Sequence, residues 1–179
     1  MVSNSIQLRE FKKSDWEDVH KYASREIVCR TQPWGPNSVE ETIEYVDQIF
    51  VDAEKIPRTR FAFAVVHTED DAMIGAGELT IKSFENSTAE IGYIINPDYW
   101  GRGVATEVAQ KLIGFGFDKL NLHRIYATCA PENIASRKVL EKAGLLFEGQ
   151  LRETLWVKGK WRDSLLYSVL ENEWDGQGK

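Results

Sequence analysis

Between Asn96 and Thr106 the chain leaves an apolar strand, turns at Pro97 and opens a helix on two glycines: Asn96-Pro97-Asp98-Tyr99-Trp100-Gly101-Arg102-Gly103-Val104-Ala105-Thr106. No other stretch limits the fold as much. The residues before it, 60–67, 72–81 and 89–96, are apolar runs that predict three meandering strands. The residues after it, from about Gly103 to Lys119, repeat with a helical period: Val104, Val108 and Leu112 stack beside Ala105, Ala109 and Ile113. A strand that feeds a glycine turn and a helix can hold an anion. The first N–H groups of a helix lack partners within it, and the dipole is positive there. Gly101 and Gly103 let backbone approach a ligand closely, and Arg102 can add a charge-assisted contact. A tight turn would call for the same glycines, so the pair alone decides nothing. Other phosphate motifs fit poorly. No Lys-Ser or Lys-Thr follows, as a P-loop needs, and Thr106 stands where GxGxxG has its third glycine.

The rest of the chain supplies the frame. Residues 5–11 read as a strand, and Ser14 with Glu17 as a capping box for a short helix ending near Ala23. Gln32-Pro33-Trp34-Gly35-Pro36 must be a loop. Ser38 and Glu41 form a second capping box, and Val39, Ile43, Val46 and Phe50 share one face of the helix it opens. A strand at 123–129 follows the long helix. Asn133 caps a helix over 134–143 that ends at Gly144, and strands at 145–157 and 161–170 close the chain around Lys158-Gly159-Lys160. The order predicts an α/β (α+β) fold: a mixed, mostly antiparallel sheet of about seven strands with about four helices on both faces. Two strand–helix–strand steps predict parallel pairing, and no linker divides residues 1–179, so one domain is expected.

Composition narrows the function. Asp plus Glu number 28 against 22 Lys plus Arg, a net charge of -6, which disfavours direct nucleic-acid binding. Cys29 and Cys129 read as reduced thiols, and His20, His67 and His123 form no cluster, so no metal is expected. No run approaches the roughly 18 apolar residues of a membrane span, and no signal peptide is apparent. A cytoplasmic enzyme with no membrane partner is the expectation.

Two segments bring a family into view. Residues 99–107, Tyr-Trp-Gly-Arg-Gly-Val-Ala-Thr-Glu, resemble the pyrophosphate motif of the GCN5-related N-acetyltransferases (GNAT), written Gln/Arg-x-x-Gly-x-Gly/Ala. Gly103 and Ala105 fill its last two fixed places. Trp100 stands where Gln or Arg is expected, a departure shared by the branch that resembles the ribosomal-protein acetyltransferases RimJ and RimL. Asn133 through Leu145 is similar to the superfamily's second cofactor segment, Asn-x-x-Ala/Ser followed by Glu-Lys-x-Gly-Phe.

The resemblance implies acetyl-CoA as co-substrate and an amine as acceptor. It implies that Ile94, Ile95 and Asn96 contact the pantetheine arm through backbone, on a strand that splays from its neighbour. Gly101, Arg102, Gly103, Val104, Ala105 and Thr106 would meet the diphosphate, and Asn133 a pantetheine amide. The family's usual acidic Tyr aligns with Leu140, which cannot donate; the resemblance to the RimL-like branch implies instead that Ser136, one helical turn earlier, interacts with the sulfur. Glu90, and after it Glu78, are the candidate bases, and Trp34 a candidate acceptor-site residue. The RimJ/RimL branch implies a protein N-terminus as acceptor. A small amine such as an antibiotic or polyamine, and a silent acyl-CoA-binding module, are the alternatives. The sequence leaves a homodimer open.

Overall fold

The computed structural model describes residues 5–176. Alternation along one strand sets its layers. In β2 (Arg60–His67), Phe61, Phe63 and Val65 face one helical layer, while Ala62 and Ala64 face the other. The first layer holds α4 (Val104–Leu120) and α5 (Ile134–Lys142). The second holds α1 (Trp16–Ala23), α2 (Glu26–Cys29) and α3 (Val39–Ala53). Between them lies a sheet that also contains β1 (Ile6–Glu10), β3 (Met73–Ser83), β4 (Thr88–Ile95), β5 (Arg124–Cys129), β6 (Leu146–Val157) and β7 (Lys160–Leu170). The strand order is β1-β2-β3-β4-β5-β7-β6, and only β4–β5 is parallel. This is the mixed α/β sheet that the element order predicts, with five helices rather than four; the additional one is the single turn of α2.

The long helix α4 crosses the middle of the sheet because the strands beneath it give it room. Val108, Ala109, Leu112 and Ile113 are fully buried, as the periodicity predicts. At Gly77 on β3 an added Cβ would lie 2.9 Å from Val108 Cγ1, so the absent side chain is what allows the helix so close. At Glu107, also buried, the helix reaches the start of the sheet: its carboxylate accepts the Ser5 hydroxyl at 2.7 Å.

Three expectations need correction. The capping box at Ser14 and Glu17 does not form. Instead the Lys12 N–H donates to Asp15 at 2.7 Å, and Arg9 grips the same carboxylate with both Nη atoms. The capping box at Ser38 and Glu41 does form, but the helix after it buries a face that keeps Val46 of the expected residues and turns away from the others. Val39 and Ile43 are 38% and 36% exposed, and Phe50 is only half-buried, while Thr42, Val46, Ile49 and Asp52 point inward. The deciding contact is tertiary, since Asp52 pairs with Arg60 of β2 at 3.0 Å. Finally, β5 and β6 are not neighbours. They run in the same direction, but β7 lies between them, antiparallel to both.

Among the described residues no helix is long and apolar enough to cross a membrane, and no group of three or more His, Cys, Asp or Glu is placed to hold a metal ion. Cys29 and Cys129 are buried free thiols.

Candidate active site

A break in one ladder opens the site. Strands β4 and β5 pair only where Thr88–Glu90 meets Arg124–Tyr126. On its other edge β4 stays paired with β3 as far as Ile95 opposite Gly75. Beyond Glu90, therefore, one edge of β4 has no strand beside it, and a cleft of about 850 Å³ opens there. The cleft joins the two layers. Toward α1–α3 its floor carries Glu78, Glu90 and Gly92, with Trp34 on the wall; toward α5 it reaches Tyr93 and Ser136. An added Cβ on Gly92 would meet nothing within 4 Å, so the floor is open at that point.

Both candidate bases line the cleft, and both already have partners. The Arg60 guanidinium grips Glu78 at 2.6 and 3.1 Å, and the Tyr45 hydroxyl donates to the same carboxylate at 2.7 Å. Burial pushes the Tyr45 hydroxyl well above the ordinary tyrosine pKa, and the Glu78 charge adds to the shift. Glu90 takes Lys82 at 2.7 Å and a long hydrogen bond from Thr128 at 3.4 Å. Trp34 both lines the cleft and packs against the core of the α1–α3 layer.

At the other end two hydroxyls meet. Ser136 Oγ and Tyr93 Oη lie 3.1 Å apart, and either can donate. Burial raises the Tyr93 pKa far above its ordinary value, against a smaller opposing effect from Ser136, so the phenol stays protonated. Sequence reasoning missed Tyr93. Its signal was a polar tip on an apolar strand, which needs a partner when buried. Leu140, at the place of the family's usual Tyr, is buried core, as an apolar residue there should be. Asn133 caps α5: its side-chain oxygen accepts the Ser136 N–H at 3.0 Å, which leaves its NH₂ group to donate elsewhere.

The glycine turn lies outside the cleft walls, past the end of β4. Ile94 lines the cleft, whereas Ile95, Asn96 and residues 101–106 do not. The Asn96 side chain accepts from the Asp98 N–H and from Arg25. Trp100, at the place where Gln or Arg is expected, donates its indole N–H to the Ile95 carbonyl at 2.8 Å, which ties the turn to the strand. Arg102 folds back over the Tyr99 ring and donates to the Asp98 carbonyl. Gly101 and Gly103 adopt φ of +76° and +82°, and a Cβ on either would meet nothing within 4 Å. Gly103 is the N-cap of α4 and has no side chain to cap it; the first helical bond is Glu107 N–H to Gly103 O. The N–H groups of Val104, Ala105 and Thr106 therefore start a helix dipole next to open space, which fits an anionic diphosphate.

Residues 5–146 match the acetyltransferase (GNAT) domain family. The chain is 36% identical to the uncharacterized N-acetyltransferase YnaD of Bacillus subtilis over 176 residues, 98% of this chain and 99% of that one. It is 25% identical to the spermidine N(1)-acetyltransferase of Escherichia coli, over 99% of this chain and 92% of that one. Among solved structures, the ribosomal-protein-S5-alanine acetyltransferase from Vibrio fischeri superposes with a TM-score of 0.80 at 27% identity, covering 98% of each chain. The chain belongs to the GNAT acetyltransferase family. It is an N-acetyltransferase, with acetyl-CoA as donor and an amine as acceptor.

Proposed function

We propose that the acceptor is the α-amine at a protein N-terminus, acetylated in the cytoplasm by residues 1–179 acting as one domain. The observation that carries this reading is the state of the two carboxylates in the cleft: Arg60 holds Glu78, and Lys82 holds Glu90. A carboxylate already bound to a cation is a weak base, so the amine must lose its proton at little expense. Near pH 7 deprotonation costs about 1.4 kcal/mol for an α-amine and about 4.6 kcal/mol for a lysine-like amine. The RimJ/RimL-like run at 99–107 and the ribosomal-protein relative point the same way.

Acetyl-CoA supplies an activated thioester. Residues 101–106 would hold its diphosphate, the β4 backbone at Ile94, Ile95 and Asn96 its pantetheine arm, and the Asn133 NH₂ group an amide of that arm. Glu90 takes the acceptor's proton through water, ahead of the more tightly held Glu78. The Ser136–Tyr93 pair holds a proton next to the departing sulfur. Tyr93 thereby restores a hydroxyl that Leu140 removes. Trp34 borders the acceptor.

A polyamine is the second reading, favoured by the Escherichia coli relative and by three carboxylates on the cleft wall, Glu41, Glu78 and Glu90. Rates with acetyl-CoA against alanyl and seryl peptides, a lysine side-chain analogue and spermidine separate the two. The N-terminal reading expects peptides to lead by at least tenfold in kcat/KM, and spermidine in the lead would sink it. The same panel run across pH with Glu90→Gln should lose or shift the acidic limb; an unmoved limb removes Glu90 as the base.

A further inference from the structure

Arg162, near the start of β7, is a buried cation without an anion. It is 9% exposed and lines the cleft. One Nη donates to the Thr31 carbonyl and the other to the Ser164 hydroxyl, and both acceptors are neutral. The Nε–H is buried and has no hydrogen-bond partner among the described residues. None of the ion pairs among the described residues includes Arg162. The carboxylates of the cleft are engaged elsewhere: Glu78 by Arg60, Glu90 by Lys82, and Glu41 by the Ser38 N–H. Burying a guanidinium without a counter-charge is unfavourable. A planar fork with N–H groups to spare matches an oxygen acceptor on a ligand.

Position says which ligand. Leu165 and Tyr167 face the α4–α5 layer, so Arg162, three residues before Leu165, falls on the opposite face by strand alternation. That is the side of Glu78, Glu90 and Trp34. Its bond to Thr31 also fixes the loop that carries Trp34. The cation thus belongs to the acceptor's half of the cleft.

We propose that Arg162 determines acceptor specificity by binding an oxygen of the acceptor itself: the carbonyl or carboxylate borne on the carbon next to the amine. This rests on the α-amine reading above and names the group beside the amine by which such an acceptor is recognised. A peptide offers a carbonyl there and a free amino acid a carboxylate, whereas a polyamine offers neither and adds positive charge beside an unpaired cation.

The test is calorimetry on the full chain saturated with CoA, which binds acceptors without turnover. Three probes are titrated: alanyl-alanine amide, free alanine, and 2-aminobutane, which has the amine but no oxygen. In the wild type at least one oxygen-bearing probe should bind tenfold or more tightly than 2-aminobutane. That preference should shrink below twofold in Arg162→Gln and survive in part in Arg162→Lys, with CoA affinity unchanged in both. A lead for the dipeptide identifies the carbonyl as the partner, and a lead for alanine the carboxylate. Equal or undetectable binding of all three to the wild type overturns the proposal, and that arm depends on no variant folding. A preference that persists in Arg162→Gln overturns it too. Failure of the underlying α-amine reading shows separately, as no acetylated peptide formed from acetyl-CoA.

Discussion

Two helices begin beside the cleft, and they begin differently. Helix α5 is closed by its own sequence: Asn133 accepts the Ser136 N–H, and Ser136 then turns its hydroxyl to Tyr93. Helix α4 is left open, since Gly103 caps it with no side chain and the space around Gly101 and Gly103 is empty. The difference fits the two roles proposed for these starts. An uncapped first turn leaves its N–H groups to a ligand, whereas a capped one spends them on stability and frees the side chains beyond the cap for chemistry.

The largest effect should come from filling the open start. Gly103→Ala forces a non-glycine residue to φ near +82° and places a methyl in the empty space. The left-handed conformation costs roughly 1–2 kcal/mol, so the melting temperature should fall by only several degrees. The dissociation constant for CoA, read by calorimetry, should rise about 10- to 100-fold. At the closed start the order reverses. Ser136→Ala should lower turnover about tenfold or more, the usual size of lost proton-transfer help, and leave CoA affinity nearly unchanged. Unchanged turnover removes Ser136 from the chemistry. Asn133→Ala should cost about 1 kcal/mol of stability through the lost cap, a fall in melting temperature of about 2–4 °C, and Asn133→Asp should restore it. Restored stability with a KM for acetyl-CoA that stays high would separate the capping role of Asn133 from its ligand role.

The smallest effect is an absence of change. Because burial raises the Tyr93 pKa, its folded form keeps the proton well above the ordinary value. After the rise imposed by deprotonating the acceptor, kcat should stay level through pH 10. Since the Ser136 hydrogen bond acts to lower that pKa, Ser136→Ala moves any alkaline limb further up. A fall centred below pH 10 would contradict a protonated Tyr93 at the thiolate.

The same contrast explains how much could be read from the residues. Local signals carried far. Alternation marked β2, helical period marked α4, and the caps at Ser38 and Asn133 formed as expected. What failed depended on side-chain and strand pairings that no period encodes. Val39 and Ile43 are apolar, yet the face of α3 is set by Asp52 reaching Arg60 and by Tyr45 reaching Glu78. No period reveals that β7 inserts between β5 and β6. Of the site, the glycine turn and the second cofactor segment were visible because each is one continuous run. Tyr93 and Arg162 were not, because their meaning lies in contacts 43 and 131 residues away.

The central claim is that the open start of α4 holds the diphosphate of acetyl-CoA. Amide NMR shifts of Gly101 through Thr106 test it directly, with CoA titrated in parallel with pantetheine, which lacks the diphosphate. Gly103, Val104, Ala105 and Thr106 should shift strongly with CoA and stay in place with pantetheine. Saturating CoA that perturbs other amides while leaving these four in place would contradict it.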